Sequence, residues 1–373
     1  MATTARRPVG DWEAVAERWT HDVVAPHAEE MDRTDRLPAA VREGLASSGL
    51  MGLTVPSQFG GAGADTRTVA RVLEILATAS GAVATILAVH LTVATGPIVE
   101  HGSEEQRHSL LPNLASGKWL GAFALTEPSV GSDAARLATR YSATEDGFRL
   151  QGNKMFTTSA DSADVIVLFA TQDPALGAHG ISAFVVTKGV PGLSVGQRLD
   201  KLGIRGSETV ELVLQDAYLP RSALLGTEGR GFPIAMEALA GGRIGIAACA
   251  LGVARGAFDA MRSAAKQDPA DWKRATVARS YSELEAAAAL VRHAAELRDQ
   301  GNSFGDAASA AKLIASQVAV RIAQAGVDVA GPAGVMKGAV AGRLLRDARV
   351  FPIVEGTTEI QELILGRDLI DRS

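Results

Sequence analysis

Three long stretches in the second half of the chain show the apolar periodicity of α-helices. In each stretch apolar residues recur at steps of three or four, which places them on one face of a helix. Consecutive long helices pack side by side, so the pattern predicts an antiparallel helical bundle. The apolar positions are Ile246, Cys249, Val253, Ala257 and Met261; Val277, Tyr281, Leu284, Ala288 and Val291; and Ile314, Val318, Ile322, Ala325 and Val329.

The part of the chain before this bundle changes its pattern once. Between about Trp119 and Leu225, short β-rich runs are separated by turn signals such as Asp146-Gly147. The part before Gly117 is helical and contains a capping box that begins at Ser103. We therefore predict three domains: an N-terminal α-helical domain (1–118), a central β domain (119–226) and a C-terminal helical bundle (227–373).

Composition limits the possible functions. With 373 residues, of which 47% are apolar, the chain can bury a large core, and its net charge of -5 argues against a nucleic-acid binder. The single cysteine, Cys249, excludes an internal disulfide, and the histidines lack the spacing of metal ligands. The first thirty residues lack the apolar core of a signal peptide, and polar residues interrupt the apolar region Ala82 to Val99. We expect a cytoplasmic protein with no metal and no membrane span.

Several segments have patterns typical of a ligand site. FALTEPSVGSD (123–133) and KMFTTSA (154–160) can present hydroxyls and backbone amides to a flat polar ligand, although either alone could be a plain turn, as could the Gly-bracketed loop DKLGIRGS (200–207). In VEGTTEIQ (354–361), Thr358 and Gln361 predict a capping box at a helix start. Glu355 then lies on the loop before this helix. On the residues alone it could be a catalytic carboxylate or only a partner of the helix dipole.

Taken in this order and spacing, the segments resemble the acyl-CoA dehydrogenase flavoprotein family. The resemblance covers nearly the whole chain and includes GLMGLTVPSQFGGAG (49–63), HGSEEQ (101–106), GRIGIAA (242–248) and RDAR (346–349). It implies a multidomain α+β fold, with an N-terminal helical domain, a central β domain and a C-terminal four-helix bundle, that holds FAD near an acyl thioester. The implied reaction converts acyl-CoA to trans-2-enoyl-CoA, with the β-hydride passing to flavin N5.

The resemblance also assigns roles to individual residues. Glu355 matches the base that removes the α-proton, Arg243 matches a polar residue near the acyl thioester, and Gly356 lies beside the thioester. Some family members place the base one position before this arginine, where the chain has Gly242. The implied cofactor-binding residues are Phe123, Leu125, Thr126, Phe156, Thr158, Thr357, Thr358, Glu359 and Ile360. Ser132 completes the implied substrate-binding set.

Two segments depart from the family pattern. An Arg-x-Gln-Phe-Gly segment that usually reaches the FAD of a neighbouring subunit is replaced by a shorter connection, 267–272. In VDVAGPAG (327–334), Asp328 stands where Gln is common and Pro332 where Gly is common. A carboxylate beside a diphosphate is unfavourable, and proline has no N–H to donate. These differences predict weaker binding of the adenosine diphosphate half of FAD.

The partners implied by the family are an acyl-CoA substrate, electron-transferring flavoprotein as the electron acceptor and further copies of the chain in a homo-oligomer. Three alternative functions remain open at this point. The acyl group could be carried on an acyl carrier protein, as in a biosynthetic assembly line. The protein could instead be a flavin oxidase or monooxygenase, in which Glu355 would not be needed as a base. Finally, the altered diphosphate contacts would suit a flavin-free scaffold or binding subunit.

Overall fold

A computed structural model describes residues 11–371 of the protein. Its first part is helical, as predicted, and two π-helical segments, Thr20–Val24 and Val89–Thr95, make α1 continuous with α2 and α5 continuous with α6. The predicted capping box is present: the Gln106 N–H donates to Ser103 Oγ (3.1 Å) and the Ser103 N–H donates to Gln106 Oε1 (3.0 Å). The helices are α1 Trp12–Trp19, α2 Ala25–Thr34, α3 Ala39–Ser48, α4 Thr66–Ala79, α5 Gly81–Ala88, α6 Gly96–His101 and α7 Glu104–Ala115.

The central part forms one eight-stranded sheet. Its strand order is β6-β7-β3-β2-β4-β5-β8, and β1 pairs with β4 in parallel. The strands are β1 Gly121–Ala124, β2 Arg140–Ala143, β3 Gly147–Thr158, β4 Val165–Thr171, β5 Ile181–Thr187, β6 Leu193–Arg198, β7 Thr209–Pro220 and β8 Leu224–Leu225. All seven residues of β4 are buried, because other elements cover both faces of this central strand.

The C-terminal part is the predicted bundle, with helices α8 Gly231–Gln267, α9 Asp271–Asp299, α10 Gly305–Ala330, α11 Val340–Ala348 and α12 Thr358–Asp371. Most of the predicted apolar stripe is buried, but Tyr281 is 54% exposed and contacts only the edge of the core through Phe258. The buried face of α9 contains the predicted Leu284, Ala288 and Val291 together with Ser280 and Ala287. The periodicity therefore predicted the helix correctly but placed its inner face slightly off.

Buried polar side chains join the domains. The Gly121 N–H donates to His90 Nδ1 (3.0 Å), so the opposite ring nitrogen, Nε2, carries the proton that is donated to the Met51 carbonyl (3.1 Å). Burial lowers the pKa of His90 to about 4, so the ring is neutral at ordinary pH. Asp347 of α11 similarly accepts the Ile204 N–H (2.6 Å), which ties the loop 200–207 to the bundle. These contacts fix the β domain against both helical domains.

Within residues 11–371, three helical segments are long and apolar enough, by length and composition alone, to cross a membrane: Gly81–His101, Gly231–Gln267 and Gly305–Val335. Their most apolar windows are 83%, 72% and 50% buried inside the protein, respectively. The first contains the apolar region that the sequence analysis predicted to be a buried helix. Its apolar side chains accordingly pack in the core.

Candidate active site

The loop between α11 and α12 holds Glu355 in an unusual backbone conformation. Glu355 has a φ of 56° and Gly356 a φ of 93°, so two successive residues are left-handed. This conformation is unfavourable for a residue with a side chain and persists where the surroundings enforce it, often at functional sites. A Cβ at position 356 would lie 2.4 Å from Gln361 Nε2, so Gly356 is required here.

The start of α12 differs from the prediction in one respect. The helix begins at Thr358, so Thr357 is the capping residue, and its Oγ1 accepts the Ile360 N–H (3.4 Å). Gln361 is then one position too far along to complete a capping box with Thr357. Its Nε2 instead donates to the carbonyl oxygens of Glu355 (3.2 Å) and Gly356 (3.1 Å). The predicted box is therefore wrong, and the glutamine side chain braces the loop.

The Glu355 side chain reaches into the interface between the loop and α8. Its Oε2 is enclosed and has no hydrogen-bond partner among residues 11–371. The carboxylate lies against Gly242 of α8, where a Cβ would stand 2.8 Å from Glu355 Oε2 and 2.9 Å from Val93 Cγ1. Burial raises the pKa of Glu355 to about 7, although the positive charges of Arg243 and Lys312 oppose this rise. A carboxylate with this pKa is poised to accept a proton near neutral pH.

Arg243 lies next to Gly242 on α8 and is half-buried. Its Nη1 donates to Ser309 Oγ on α10 (3.3 Å), while its Nε is enclosed and has no hydrogen-bond partner among the residues described. Burial lowers the pKa of Arg243, whereas the charge of Glu355 favours its cationic form. An enclosed N–H without a partner is uncommon in a folded protein and is often found where a ligand binds. The structure thus brings Arg243 and Glu355 into one electrostatic environment.

Two segments carry the implied flavin-binding residues Phe123 to Thr158, and we call them the flavin wall: 123–133, at the end of β1, and 154–160, at a bulge in β3. Between Lys154 and Thr157 the pairing of β3 with β7 shifts by one residue, and Phe156, with a φ of 57°, points outward and is 63% exposed. The Met155 N–H donates to the Thr126 carbonyl (2.8 Å), which joins this bulge to the first wall segment. Thr126 and Thr158 are half-buried, and Leu125 is buried.

A buried ion pair supports this wall from behind. Lys154 Nζ donates to Glu127 Oε1 (2.7 Å) and to the Leu125 carbonyl (3.2 Å). Glu127 also accepts the N–H groups of Ala138 (2.7 Å) and Thr139 (2.9 Å), so both of its carboxylate oxygens are satisfied. The two wall segments, 123–133 and 154–160, are therefore held together by charge-assisted hydrogen bonds.

A small apolar cluster connects the wall with Glu355. Phe123 packs against Val89, Val93 and Ala238. Because Val93 also lies beside Gly242 and the Glu355 carboxylate, Phe123 and Glu355 border the same region of the protein. Ser132, in contrast, is exposed on the loop after β1, and the structure gives it no contact with this region. Glu359 is also exposed, whereas Thr357, Thr358 and Ile360 are half-buried beside the loop.

The flavin wall fits a flat aromatic ring better than the two departing segments, 267–272 and 327–334, fit a diphosphate. The ring of Phe156 is exposed, and Thr157 Oγ1 is enclosed without a hydrogen-bond partner among the described residues, which suits an aromatic, hydrogen-bonding ligand. In the turn between α8 and α9, Asp268 is already paired with a cation of α9, since Lys273 Nζ contacts Asp268 Oδ2 (2.6 Å). The carboxylate of Asp328, in the second departing segment, accepts from Gln324 Nε2 (2.9 Å), so a negative charge stands where the resemblance implies a neutral side chain.

Sequence reasoning missed several residues that shape the site. Lys312 and Ser309 of α10 support Glu355 and Arg243, and Glu127 and Lys154 support the wall. For the buried pair Glu127 and Lys154, the sequence signal was weak: each residue lies in a segment that resembles the acyl-CoA dehydrogenase pattern. Lys312 had a clearer signal, because it interrupts the apolar face of α10 between Ala308 and Ala315.

Comparison with known proteins identifies the family. The domain profiles of acyl-CoA dehydrogenases match residues 11–118 (N-terminal domain), 122–217 (middle domain) and 229–370 (C-terminal domain). An acyl-CoA dehydrogenase of Bacillus subtilis is 45% identical over 93% of this chain and 94% of its own length, and a short-chain specific acyl-CoA dehydrogenase of Clostridium acetobutylicum is 38% identical over 92% and 93%.

Among solved structures, butyryl-CoA dehydrogenase of Megasphaera elsdenii matches with a TM-score of 0.94 and 34% identity, over 99% of this chain and 100% of its own. The predicted fold class, a helical domain, a β domain and a helical bundle, is thereby confirmed. Members of the family are FAD-dependent oxidoreductases that act on CH–CH bonds. The chain belongs to the acyl-CoA dehydrogenase family.

Proposed function

We propose that this protein catalyses the FAD-dependent α,β-dehydrogenation of an acyl-CoA thioester, with Glu355 as the base. The observation that carries the proposal is the enclosed Glu355 Oε2, which has no hydrogen-bond partner in the part of the chain that the structure describes, together with a pKa raised to about 7 by burial. A structural carboxylate is normally satisfied by donors, whereas a base must keep a lone pair free for the substrate proton.

The residues of the chain divide the chemistry between them. Glu355 Oε2 takes the α-proton, and the cationic Arg243, which interacts electrostatically with Glu355, stabilises the negative charge that develops on the thioester. FAD, when bound, accepts the hydride from the β-carbon. Phe123, Leu125, Thr126, Phe156 and Thr158 would hold the flavin ring, and the start of α12, Thr357 to Ile360, would contact it from the bundle side. Gly356 leaves room for the thioester beside the base.

The test is an anaerobic titration of the FAD-loaded protein with a panel of thioesters, beginning with butyryl-CoA because a structurally similar enzyme is a butyryl-CoA dehydrogenase. Bleaching of the flavin reports the reaction. Glu355→Gln should still bind the thioester but reduce the flavin at least ~10³-fold more slowly, because it removes the base and its orientation. Glu362→Gln is a matched control, since Glu362 is exposed on α12.

Each other outcome of this experiment has a definite meaning. Wild-type bleaching by Glu355→Gln would refute Glu355 as the base. Bleaching by acyl-carrier-protein thioesters, but not by acyl-CoA, would identify a carrier-bound substrate. Rapid consumption of oxygen by the reduced enzyme would identify an oxidase instead of a dehydrogenase that passes its electrons to electron-transferring flavoprotein. A protein that takes up no flavin would support the scaffold hypothesis.

We also propose that the protein is a homo-oligomer, more readily a dimer than a tetramer, that holds FAD mainly by its isoalloxazine end. The support is the pairing of Asp268 with Lys273 and the carboxylate of Asp328, in the two departing segments 267–272 and 327–334. Loss of several charge-assisted hydrogen bonds, each worth about 1.5 to 3 kcal/mol, should leave the purified protein partly without FAD. Light scattering and an FAD titration test this: a tetramer with tightly held, full flavin would contradict it.

A cytoplasmic location stays a prediction from the sequence.

A further inference from the structure

A buried lysine lies beneath the loop that carries Glu355. The side chain of Lys312 is 0% exposed. Its Nζ donates to the carbonyl oxygens of Pro352 (3.1 Å) and Gly356 (2.6 Å), which lie on either side of Glu355 in the chain. A single ammonium group thus spans the loop and bonds it at both ends. Charged donors form the stronger hydrogen bonds in proteins, so this contact restrains the loop firmly.

Gln361 holds the same loop from the other side. The Gly356 carbonyl accepts from both Lys312 Nζ (2.6 Å) and Gln361 Nε2 (3.1 Å), and the Glu355 carbonyl accepts from Gln361 Nε2 (3.2 Å). The left-handed conformations of Glu355 and Gly356 require such external support. Because no described residue donates a hydrogen bond to Glu355 Oε2, the position of this oxygen depends on how the backbone of Glu355 is held.

The charge of Lys312 acts on the same carboxylate. Around Glu355, the cations are Arg243 of α8 and Lys312 of α10, and both oppose the effect of burial on its pKa. Around Lys312, burial lowers the pKa to about 8, Glu355 and Glu359 favour the cation, and Arg243 disfavours it. Among the described residues, removing Lys312 would leave the charge of Arg243 to oppose the effect of burial, so the pKa of Glu355 would rise further.

We propose that Lys312 is a positioning residue for proton removal: it holds the Glu355 loop in its left-handed conformation and supplies positive charge that favours the ionised carboxylate. The inference rests on the proposed function, because it takes Glu355 as the base. Lys312 acts through Glu355 and bonds to main-chain carbonyls, so its effect should appear in proton removal more than in thioester binding.

The test uses the FAD-loaded protein and the variant Lys312→Met, which keeps the length of the side chain but removes its donors and charge. Anaerobic flavin reduction by butyryl-CoA is followed by stopped flow between about pH 5.5 and 9. We expect the rate constant at pH 7 to fall at least ~30-fold and the pH of half-maximal rate to rise by about one unit. Apparent thioester affinity should change less than about threefold. Lys188→Met, at an exposed position after β5, is the control.

Wild-type rate and wild-type pH midpoint in Lys312→Met would overturn the proposal. A lower melting temperature with an unchanged midpoint in the folded, FAD-loaded fraction would also overturn it, because a merely structural role predicts that result. If Lys312→Met does not fold, Lys312→Gln replaces it in the test, since glutamine keeps an amide donor and loses the charge. The proposal then requires that the pH of half-maximal rate rise in Lys312→Gln. Failure of the proposed function is distinguishable, because Glu355→Gln would then reduce flavin at the wild-type rate.

Discussion

Two glutamates near the site, Glu127 and Glu355, differ in almost every interaction of their carboxylates. Both oxygens of Glu127 accept hydrogen bonds, from Lys154 Nζ (2.7 Å) and from the N–H groups of Ala138 and Thr139. Burial alone would raise the pKa of Glu127, but Lys154 and these donors hold it below its usual value. Glu355 Oε2 has no hydrogen-bond donor within the described part of the chain, and burial raises the pKa of Glu355 to about 7.

The two glutamates differ because the neighbouring lysines donate their hydrogen bonds to different acceptors. Lys154 bonds to the Glu127 carboxylate and keeps it ionised and fixed behind the flavin wall. Lys312 bonds to the main chain around Glu355, which leaves the carboxylate free to accept a proton. A satisfied buried charge stabilises structure, and an unsatisfied one can react. The same pair of residue types therefore serves two purposes in one protein.

The comparison is tested most strongly by making one substitution at both sites. Glu127→Gln should lower the free energy of unfolding by about 3 to 5 kcal/mol, because it leaves the buried Lys154 cation without its counter-charge. Glu355→Gln should cause no loss. Since the pKa of Glu355 is raised in the folded protein, wild-type stability should decline as the pH rises from about 4.5 through 7.

Urea unfolding of the three proteins at pH 6 and pH 8 measures both effects. Glu355→Gln should lack the part of the pH dependence that belongs to Glu355. Equal losses of stability in the two variants would break the comparison, because they would show that the Glu355 carboxylate is satisfied in the folded protein.

A smaller effect should follow from the close approach of α8 to Glu355. In Gly242→Ala the new Cβ would stand 2.8 Å from Glu355 Oε2 and would displace the carboxylate. Flavin reduction should slow by about 10 to 100-fold, since a displacement of about 1 Å can cost a factor of ~10². Gly245→Ala is a matched control one turn along α8, where the nearest atom to the Cβ is 3.4 Å away.

Stopped-flow reduction at saturating thioester separates these two variants. The control should retain the wild-type rate, and its stability should be equal or slightly higher because alanine favours a helix interior. A Gly242→Ala enzyme as fast as the control would show that the carboxylate does not need its present position.

The fold class and the position of Glu355 on the loop before α12 could be predicted from the sequence, because both depend on patterns of residues that are close together in the chain. Helical periodicity, turn signals and the motif VEGTTEIQ are all local, and each was recovered in the structure as a helix, a strand boundary or the loop before α12. The capping box was wrong by one residue, since α12 begins at Thr358 and Gln361 turns back to the loop carbonyls. The side-chain contacts could not be predicted in this way.

Lys312 and Glu355 are 43 positions apart in the sequence, and strand β2 lies between Glu127 and Lys154. Such contacts depend on how the domains pack, which a single sequence does not display. Ser132 stays a prediction, because it is exposed and the structure gives it no contact with the region near Glu355.

The central claim, that Glu355 removes the α-proton, is tested most directly when proton removal is separated from hydride transfer. A thioester with sulfur in place of its β-carbon can lose an α-proton but has no β-hydrogen to give. Exchange of its α-protons with D₂O is followed by NMR in the presence of the FAD-loaded protein. The account predicts exchange that rises with pH through about 7 and is at least ~10³-fold slower in Glu355→Gln. Equal exchange by the wild type and Glu355→Gln would contradict it.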